Sequence, residues 1–117
     1  MANILITGIT GLIGSHLSGE LSNLGHTIYG VTRRIYSKAN YETVVVDLSS
    51  DWKTNELPTK IDVIYHLAQS DKFRDFPAGA PDVFQVNINS SAKLLDYAKK
   101  SGVASFIYAS SGGVYGN

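Results

Sequence analysis

Residues 3–14 read NILITGITGLIG, and this stretch decides the fold. Ile4, Leu5 and Ile6 form a short apolar run of the kind that makes a buried strand. Thr7 follows, then three glycines three apart, Gly8, Gly11 and Gly14, and an amphipathic helical pattern begins at once. Each glycine has a physical task if an anionic dinucleotide binds here. Gly8 permits a sharp turn off the strand, Gly11 lets the backbone approach a pyrophosphate, and Gly14 lets the helix pack closely on the strand. Unpaired N–H groups and the positive end of the helix dipole then face the anion. A glycine triplet by itself also fits an ordinary β–α turn. The order strand, loop, helix supplies the context that makes it a dinucleotide signature.

Outward from this stretch, strands and helices alternate. Ile13, Leu17, Leu21 and Leu24 recur at intervals of four and three and define one face of the first helix, with Gly25 at its end. Apolar β-type runs follow at 28–32, 43–46, 61–67 and 106–109, after the first at 4–7. A short helix is expected over 52–57, stopped by Pro58. A second long helix is expected over 82–100, with Phe84, Ile88, Ser91, Leu95 and Ala98 on its buried face and Gly102 ending it. Short apolar strands separated by helices make a parallel sheet covered on both faces. Right-handed crossovers give such a five-stranded α/β sheet the doubly wound order 3-2-1-4-5. The segment 70–81, with Pro77, Gly79 and Pro81, reads as the flexible connection. No repeat or low-complexity tract is present in the sequence.

Composition bounds the function classes. The 117 residues make one domain or part of one, and 44% apolar with 17% charged residues make it globular. Ten basic and ten acidic residues cancel, which gives no electrostatic reason to expect a nucleic-acid or membrane partner. Cysteine is absent from the sequence, which excludes disulfides and thiolate zinc sites, and no metal site is expected. The N-terminus lacks the pattern of a secretory signal, and no apolar run approaches the ~20 residues of a membrane helix. A cytoplasmic protein is the expectation.

Ligands of doubly wound sheets bind beyond the carboxyl ends of the strands. The loop there contributes Gly8, Thr10, Gly11, Leu12, Ile13 and Gly14 as cofactor-binding candidates. The second strand contributes Thr32, Arg33 and Arg34, the third Asp47 and Leu48, the fourth Leu67, Ala68 and Gln69, and the fifth Ser110. A carboxylate after the second strand, roughly 20 residues past the glycine loop, ordinarily binds the ribose 2′-hydroxyl of NAD. No Asp or Glu lies between Glu20 and Glu42, and Thr32-Arg33-Arg34 stands at that place. A 2′-phosphate suits guanidinium groups and repels a carboxylate, so the pattern points to NADP. The competing reading has Arg33 and Arg34 as solvated loop residues of an NAD-binding domain.

Thr7-Gly8-x-x-Gly11-x-x-Gly14, Tyr65-His66-Leu67-Ala68-Gln69-Ser70, Asn87-Ile88-Asn89 and the run from Tyr108 to Gly116 (YASSGGVYG) together carry a family resemblance. The chain resembles the extended short-chain dehydrogenase/reductases, the group of NAD(P)-dependent sugar-nucleotide epimerases and dehydratases, over essentially all its length. The resemblance implies a Rossmann-type NAD(P)-binding domain over 1–117, in which Asp47 contacts the adenine, 66–68 line the cofactor and Asn87 supports the site. It implies that Ser111 is catalytic, hydrogen-bonding the reacting substrate hydroxyl or carbonyl, so that Ser111→Ala in the full-length enzyme lowers turnover about 10²-fold or more. It also implies a nucleotide-sugar substrate and transient hydride transfer at a sugar carbon. The Thr-Arg-Arg segment looks more like NADP-using members.

Blander readings stand beside these. Asp47 fits a helix N-cap. His66, inside an apolar strand, fits a hydrogen-bonded core histidine, while His16 and His26 fit structural or solvent-facing positions. Ser49, Ser50, Ser90 and Ser91 fit caps or small packing residues, and Tyr97, Lys99 and Lys100 the outer part of a helix.

The family's chemistry also needs a Tyr-x-x-x-Lys pair, whose lysine favours the tyrosinate that takes the hydroxyl proton. Tyr29, Tyr36, Tyr41, Tyr65, Tyr97 and Tyr108 are followed four places on by Arg33, Asn40, Val45, Gln69, Ser101 and Gly112, and Tyr115 is too near the end. The expected explanation is that these residues are the N-terminal portion of a longer enzyme. The C-terminal substrate domain and the helices through which the family forms homo-oligomers would then lie beyond them, and the portion alone would bind cofactor weakly and turn over nothing. The alternative is a non-catalytic NADP(H)-binding module with a regulatory or partner-binding role. Which nucleotide sugar, and whether it is epimerised, dehydrated or reduced, is not written in these residues.

Overall fold

Ile4, Leu5 and Ile6 are each 3% exposed or less, although neighbouring strand residues point to opposite faces. A strand buried on both sides belongs inside a layered sheet, and a computed structural model shows that arrangement. The structure describes residues 1–35, 40–70, 72, 75 and 77–109. Its elements are β1 (Asn3–Thr7), α1 (Leu12–Asn23), β2 (Thr27–Thr32), β3 (Glu42–Val45), a 3₁₀ turn (Thr54–Glu56) and β4 (Val63–His66). They continue with α2 (Ala80–Val83), a π turn (Phe84–Asn89), α3 (Ser90–Ser101) and β5 (Ser105–Tyr108).

The five strands lie in the order β3-β2-β1-β4-β5, every pair parallel, as the alternation of elements predicts. Strand ends differ from expectation by one or two residues. The short helix expected over 52–57 is only the three-residue 3₁₀ turn, and Trp52 instead points into the core at 3% exposure.

Two apolar clusters cover the two faces. Ile4 and Ile6 pack with Ile9, Ile28, Leu17 and Leu21 on the α1 side. Leu5 packs with Ile64, Val86, Leu94, Tyr97 and Trp52 on the α3 side. This is the doubly wound arrangement, with β1 at its centre.

The helix faces correct two sequence expectations. On α1, Ile13 and Leu24 are 69% and 65% exposed, and the inward positions are Gly14 and Ser18, flanked by Leu17 and Leu21. Small residues at Gly14 and Ser18 let the helix approach more closely than Ile13 would. On the second long helix, Phe84, Ile88 and Leu95 are exposed by about half, and the buried positions are Val86, Ser90, Leu94, Tyr97 and Ala98. Two apolar stripes compete there. The inward one has the fully buried Ser90 at its centre, and the buried Trp52 ring donates from Nε1 to Ser90 Oγ at 2.8 Å. Tyr97, read as an outer residue, is buried, and its hydroxyl donates to the Pro58 carbonyl. That burial also raises the Tyr97 pKa above 10.0.

Helix ends agree with the glycine reading. Past α1, the His26 amide reaches the Leu21 carbonyl at 3.2 Å and Gly25 reaches Ser22 at 2.9 Å, the paired bonds of a Schellman end. Gly102 ends α3 in the left-handed conformation.

Candidate functional site

The turn off β1 is set by Gly8, whose φ of +69° lies in the region that favours glycine. A Cβ there would stand 2.8 Å from the Ala68 nitrogen and the Leu67 carbonyl carbon. The Gly11 amide donates back to the Gly8 carbonyl at 3.1 Å, and α1 starts from Gly11. A Cβ on Gly14 would lie 2.2 Å from the Gly8 oxygen and 2.8 Å from Ile9 Cα. Gly14 therefore brings the helix against the turn itself, where the sequence suggests the strand.

No side chain caps α1 at Gly11, and its first turn holds no acidic residue. Its leading N–H groups and positive dipole end are thus left for an anion.

Around this helix start lies a cleft of about 410 Å³ at the carboxyl edge of the sheet. Gly8, Thr10 and Gly11 line it from the loop, and Thr32, Arg33 and Arg34 from the end of β2. Asp47 and Leu48 come from beyond β3, and Leu67, Ala68 and Gln69 from beyond β4. Eleven of the sequence candidates thus converge on one space. Leu12 and Ile13 stand exposed at the start of α1, outside the lining, and Gly14 acts through packing. Asn87 is also outside the lining but accepts the Ser70 N–H on Oδ1 at 2.9 Å, which supports the loop beyond β4. Ser110 and the catalytic candidate Ser111 lie outside the described residues, as do positions 71, 73, 74 and 76 of the 70–81 connection.

The sequence reading missed several lining residues. Lys72 and Asp82 sit in or beside the connection read as flexible, and Val86 lies on the inward helix stripe rather than the one that Phe84, Ile88 and Leu95 define. Ser70 is fastened by its hydroxyl to the Asp82 carboxylate.

Two walls are set by local hydrogen bonds. At β2, Thr32 Oγ1 donates to the Arg34 carbonyl at 2.5 Å and turns the chain where both exposed guanidinium groups project. Beyond β3, Asp47 Oδ1 accepts from the amide and the hydroxyl of Ser49, at 2.9 and 2.6 Å. Asp47 therefore closes an Asx turn and caps no helix. The Ser49 hydroxyl does most to hold its carboxyl below 3.8. Partial burial opposes this, and the Ser49 amide and the Arg33 charge assist it.

Beneath the cleft, His66 is fully buried and bonded at both nitrogens. Thr7 Oγ1 accepts the Leu67 and Ala68 amides at 3.0 and 3.1 Å, which uses both its lone pairs. Its hydroxyl proton must then go to His66 Nδ1, 2.6 Å away. Nε2 carries the ring proton and donates to Ser91 Oγ at 2.7 Å, and Ser91 donates to the Asn87 carbonyl at 2.9 Å. This accounting assigns the neutral Nε2–H tautomer. Burial pushes the His66 pKa down to about 4. His66 is a core histidine that joins β1, β4 and the helix, and Ser91 is a relay between them.

A glycine-rich turn feeding an uncapped helix, at the carboxyl edge of a 3-2-1-4-5 parallel sheet, defines the class of doubly wound nucleotide-binding domains. Residues 4–117 match the model of the NAD dependent epimerase/dehydratase family, and the chain belongs to that family. It is 32% identical to the UDP-glucose 4-epimerase of Mycolicibacterium smegmatis over 96% of this chain and 40% of that one. Among solved structures it is similar to a short-chain dehydrogenase/reductase superfamily protein of Agrobacterium tumefaciens with bound NAD. That likeness has a TM-score of 0.84 and 31% identity over 97% of this chain and 34% of the other. It is likewise similar to MoeE5 in complex with UDP-glucose and NAD, with a TM-score of 0.82 and 31% identity over 98% of this chain and 38% of that one. The chain thus spans between a third and two-fifths of the length of these proteins. No helix among the described residues is long and apolar enough to cross a membrane.

Proposed function

We propose that residues 1–117 form the N-terminal part of an NAD(P)-binding domain in a nucleotide-sugar epimerase or dehydratase, and that the cleft holds the dinucleotide. The observation that carries this is the uncapped start of α1 opening into a cleft lined by four separate strand ends. The residues present suit the group. The leading N–H groups of α1, past the Gly8–Gly11 turn, donate to the pyrophosphate, and Asp47 faces the adenine end beside Leu48. Arg33 and Arg34 offer donors to a ribose 2′-phosphate. Leu67, Ala68 and Gln69 line the stretch towards the nicotinamide, with Asn87 and Ser110 in support. A bound dinucleotide would supply reversible hydride transfer at a sugar carbon. Ser111 orients the reacting hydroxyl, and the Tyr-x-x-x-Lys pair comes from outside these 117 residues, which alone turn over nothing.

NADP is the proposed cofactor, because two arginines stand where an NAD site places a carboxylate. NAD is the second reading, supported by the NAD bound in both similar structures. Fluorescence titration with NADPH and NADH separates them. NADPH is expected to bind tighter, and Arg33→Ala to weaken NADPH about ten-fold while leaving NADH within about two-fold, the scale of one lost charge-assisted hydrogen bond. Tighter NADH binding that ignores the substitution would establish the NAD reading instead.

A further inference from the structure

The helical ladder between α2 and α3 widens at the π turn Phe84–Asn89. Its closing bond runs from the Ser90 amide to the Gln85 carbonyl, five residues back. Such turns are rare and concentrate at functional sites, since their ladder geometry is less favourable than that of an α-helix. In an α-helix, residues five apart stand about 140° apart around the axis and serve different faces.

Here Gln85 and Ser90 serve the same one. Gln85 Nε2 donates to the Ser50 carbonyl at 2.8 Å, and Ser90 Oγ donates to the Leu48 carbonyl at 2.6 Å. Gln85 is itself steadied by Asn89, whose Nδ2 donates to Gln85 Oε1 at 3.1 Å. Asn87 and Ser91 reach the other way, to the Ser70 amide and the His66 ring, at 2.9 and 2.7 Å. Val86, between the two sets, is buried and lines the cleft. One helical segment therefore fastens both the 48–50 turn and the 67–70 loop, and each of these lines the cleft.

We propose that the π turn is a spacer, fixing the separation of the 48–50 turn and the 67–70 loop to suit a bound dinucleotide, with Gln85 the positioning residue for the 48–50 turn. This rests on the dinucleotide reading above. Gln85 does not itself line the cleft and acts through the Ser50 carbonyl, two residues past Leu48. A carbonyl released from Gln85 is taken up by water, so its loss relaxes the turn without unfolding the sheet.

The test compares ADP, which carries only the adenine half, with NADPH, in calorimetric titrations of the wild-type chain, Gln85→Ala and Asn87→Ala, with urea midpoints measured alongside. Gln85→Ala is expected to weaken ADP and NADPH by the same factor, about five-fold, at an unchanged midpoint. Asn87→Ala is expected to weaken NADPH while leaving ADP within about two-fold, because Asn87 holds the loop on the nicotinamide side. Unchanged affinities in Gln85→Ala, or losses of both ligands that track a fall in midpoint in both variants, would overturn the spacer. A wild-type chain that binds neither ADP nor NADPH would remove the dinucleotide reading and the spacer with it.

Discussion

Gly14→Ala is expected to destabilise the fold by about 3 kcal/mol, the upper end of what overpacking costs. The new Cβ would lie 2.2 Å from the Gly8 oxygen, 2.9 Å from the Gly8 carbonyl carbon and 2.8 Å from Ile9 Cα. All three are backbone atoms, so no side-chain rotation relieves the clash. Relief requires α1 to move away from the turn, which breaks the 3.1 Å bond between the Gly11 amide and the Gly8 carbonyl and displaces the helix start from the cleft. Gly19 on the same helix is the control, since a Cβ there meets nothing within 4 Å. Gly19→Ala is expected to stabilise by about 0.5–1 kcal/mol through helix propensity. Urea unfolding of both variants checks this. A Gly14→Ala midpoint equal to that of the wild type would mean that the turn and helix are not in the close contact described.

The second large effect is a loss of stability on acidification. His66 has an ordinary pKa of 6.5 and is pushed to about 4 in the fold by burial. Between those values the unfolded chain binds a proton that the folded chain refuses. Stability therefore rises with pH across the window. The contribution is fully present above about pH 6.5 and falls away as pH drops towards 4, by up to about 3 kcal/mol at 1.36 kcal/mol per unit. Burial is the cause, and Thr7 gives a proton on Nδ1 no relief, because the lone pairs of its Oγ1 are already taken by two amides. Asp47 and Asp51 act in the same direction but lower down, because each carboxyl is held below 3.8 and loses its share only beneath that value. Urea midpoints between pH 7 and 4 should fall steeply for the wild type. His66→Gln, which cannot titrate, should start less stable and show a shallow slope. Equal slopes for the two proteins would show that His66 is not the titrating group.

Much of this was readable from the sequence for definite reasons. The 3-2-1-4-5 sheet follows from five short apolar runs with helices between them and from crossover handedness, both of which are local or general. The cleft follows because every strand ends at the same edge, so Gly8, Thr32, Asp47 and Ala68 needed no tertiary knowledge to be grouped. What stayed hidden depends on which of two similar surfaces docks. The stripe of Phe84, Ile88 and Leu95 and the stripe of Val86, Leu94 and Tyr97 both recur at helical spacing, Ala98 is buried as expected, and the inward stripe is joined to Trp52 through Ser90 across 38 residues of sequence. The π turn leaves no compositional trace. Tyr97 looked external beside Lys99 and Lys100 because its partner, the Pro58 carbonyl, is a backbone group no side-chain pattern reveals. Lys72 lies in a stretch that proline and glycine make read as a connection rather than a wall, and Asp82 reads as the first residue of the second long helix.

The central claim is that the cleft at the start of α1 binds a dinucleotide, and an NMR titration of the isotope-labelled chain with NADPH tests it most directly. The predicted result is that the amides of Gly8, Thr10, Gly11, Thr32, Asp47 and Ala68 shift together and saturate at one concentration, while Gly19 and Ser101 stay still. Saturating shifts gathered elsewhere, for instance along the exposed stripe of Phe84, Ile88 and Leu95, or no shifts at millimolar NADPH and NADH, would contradict it.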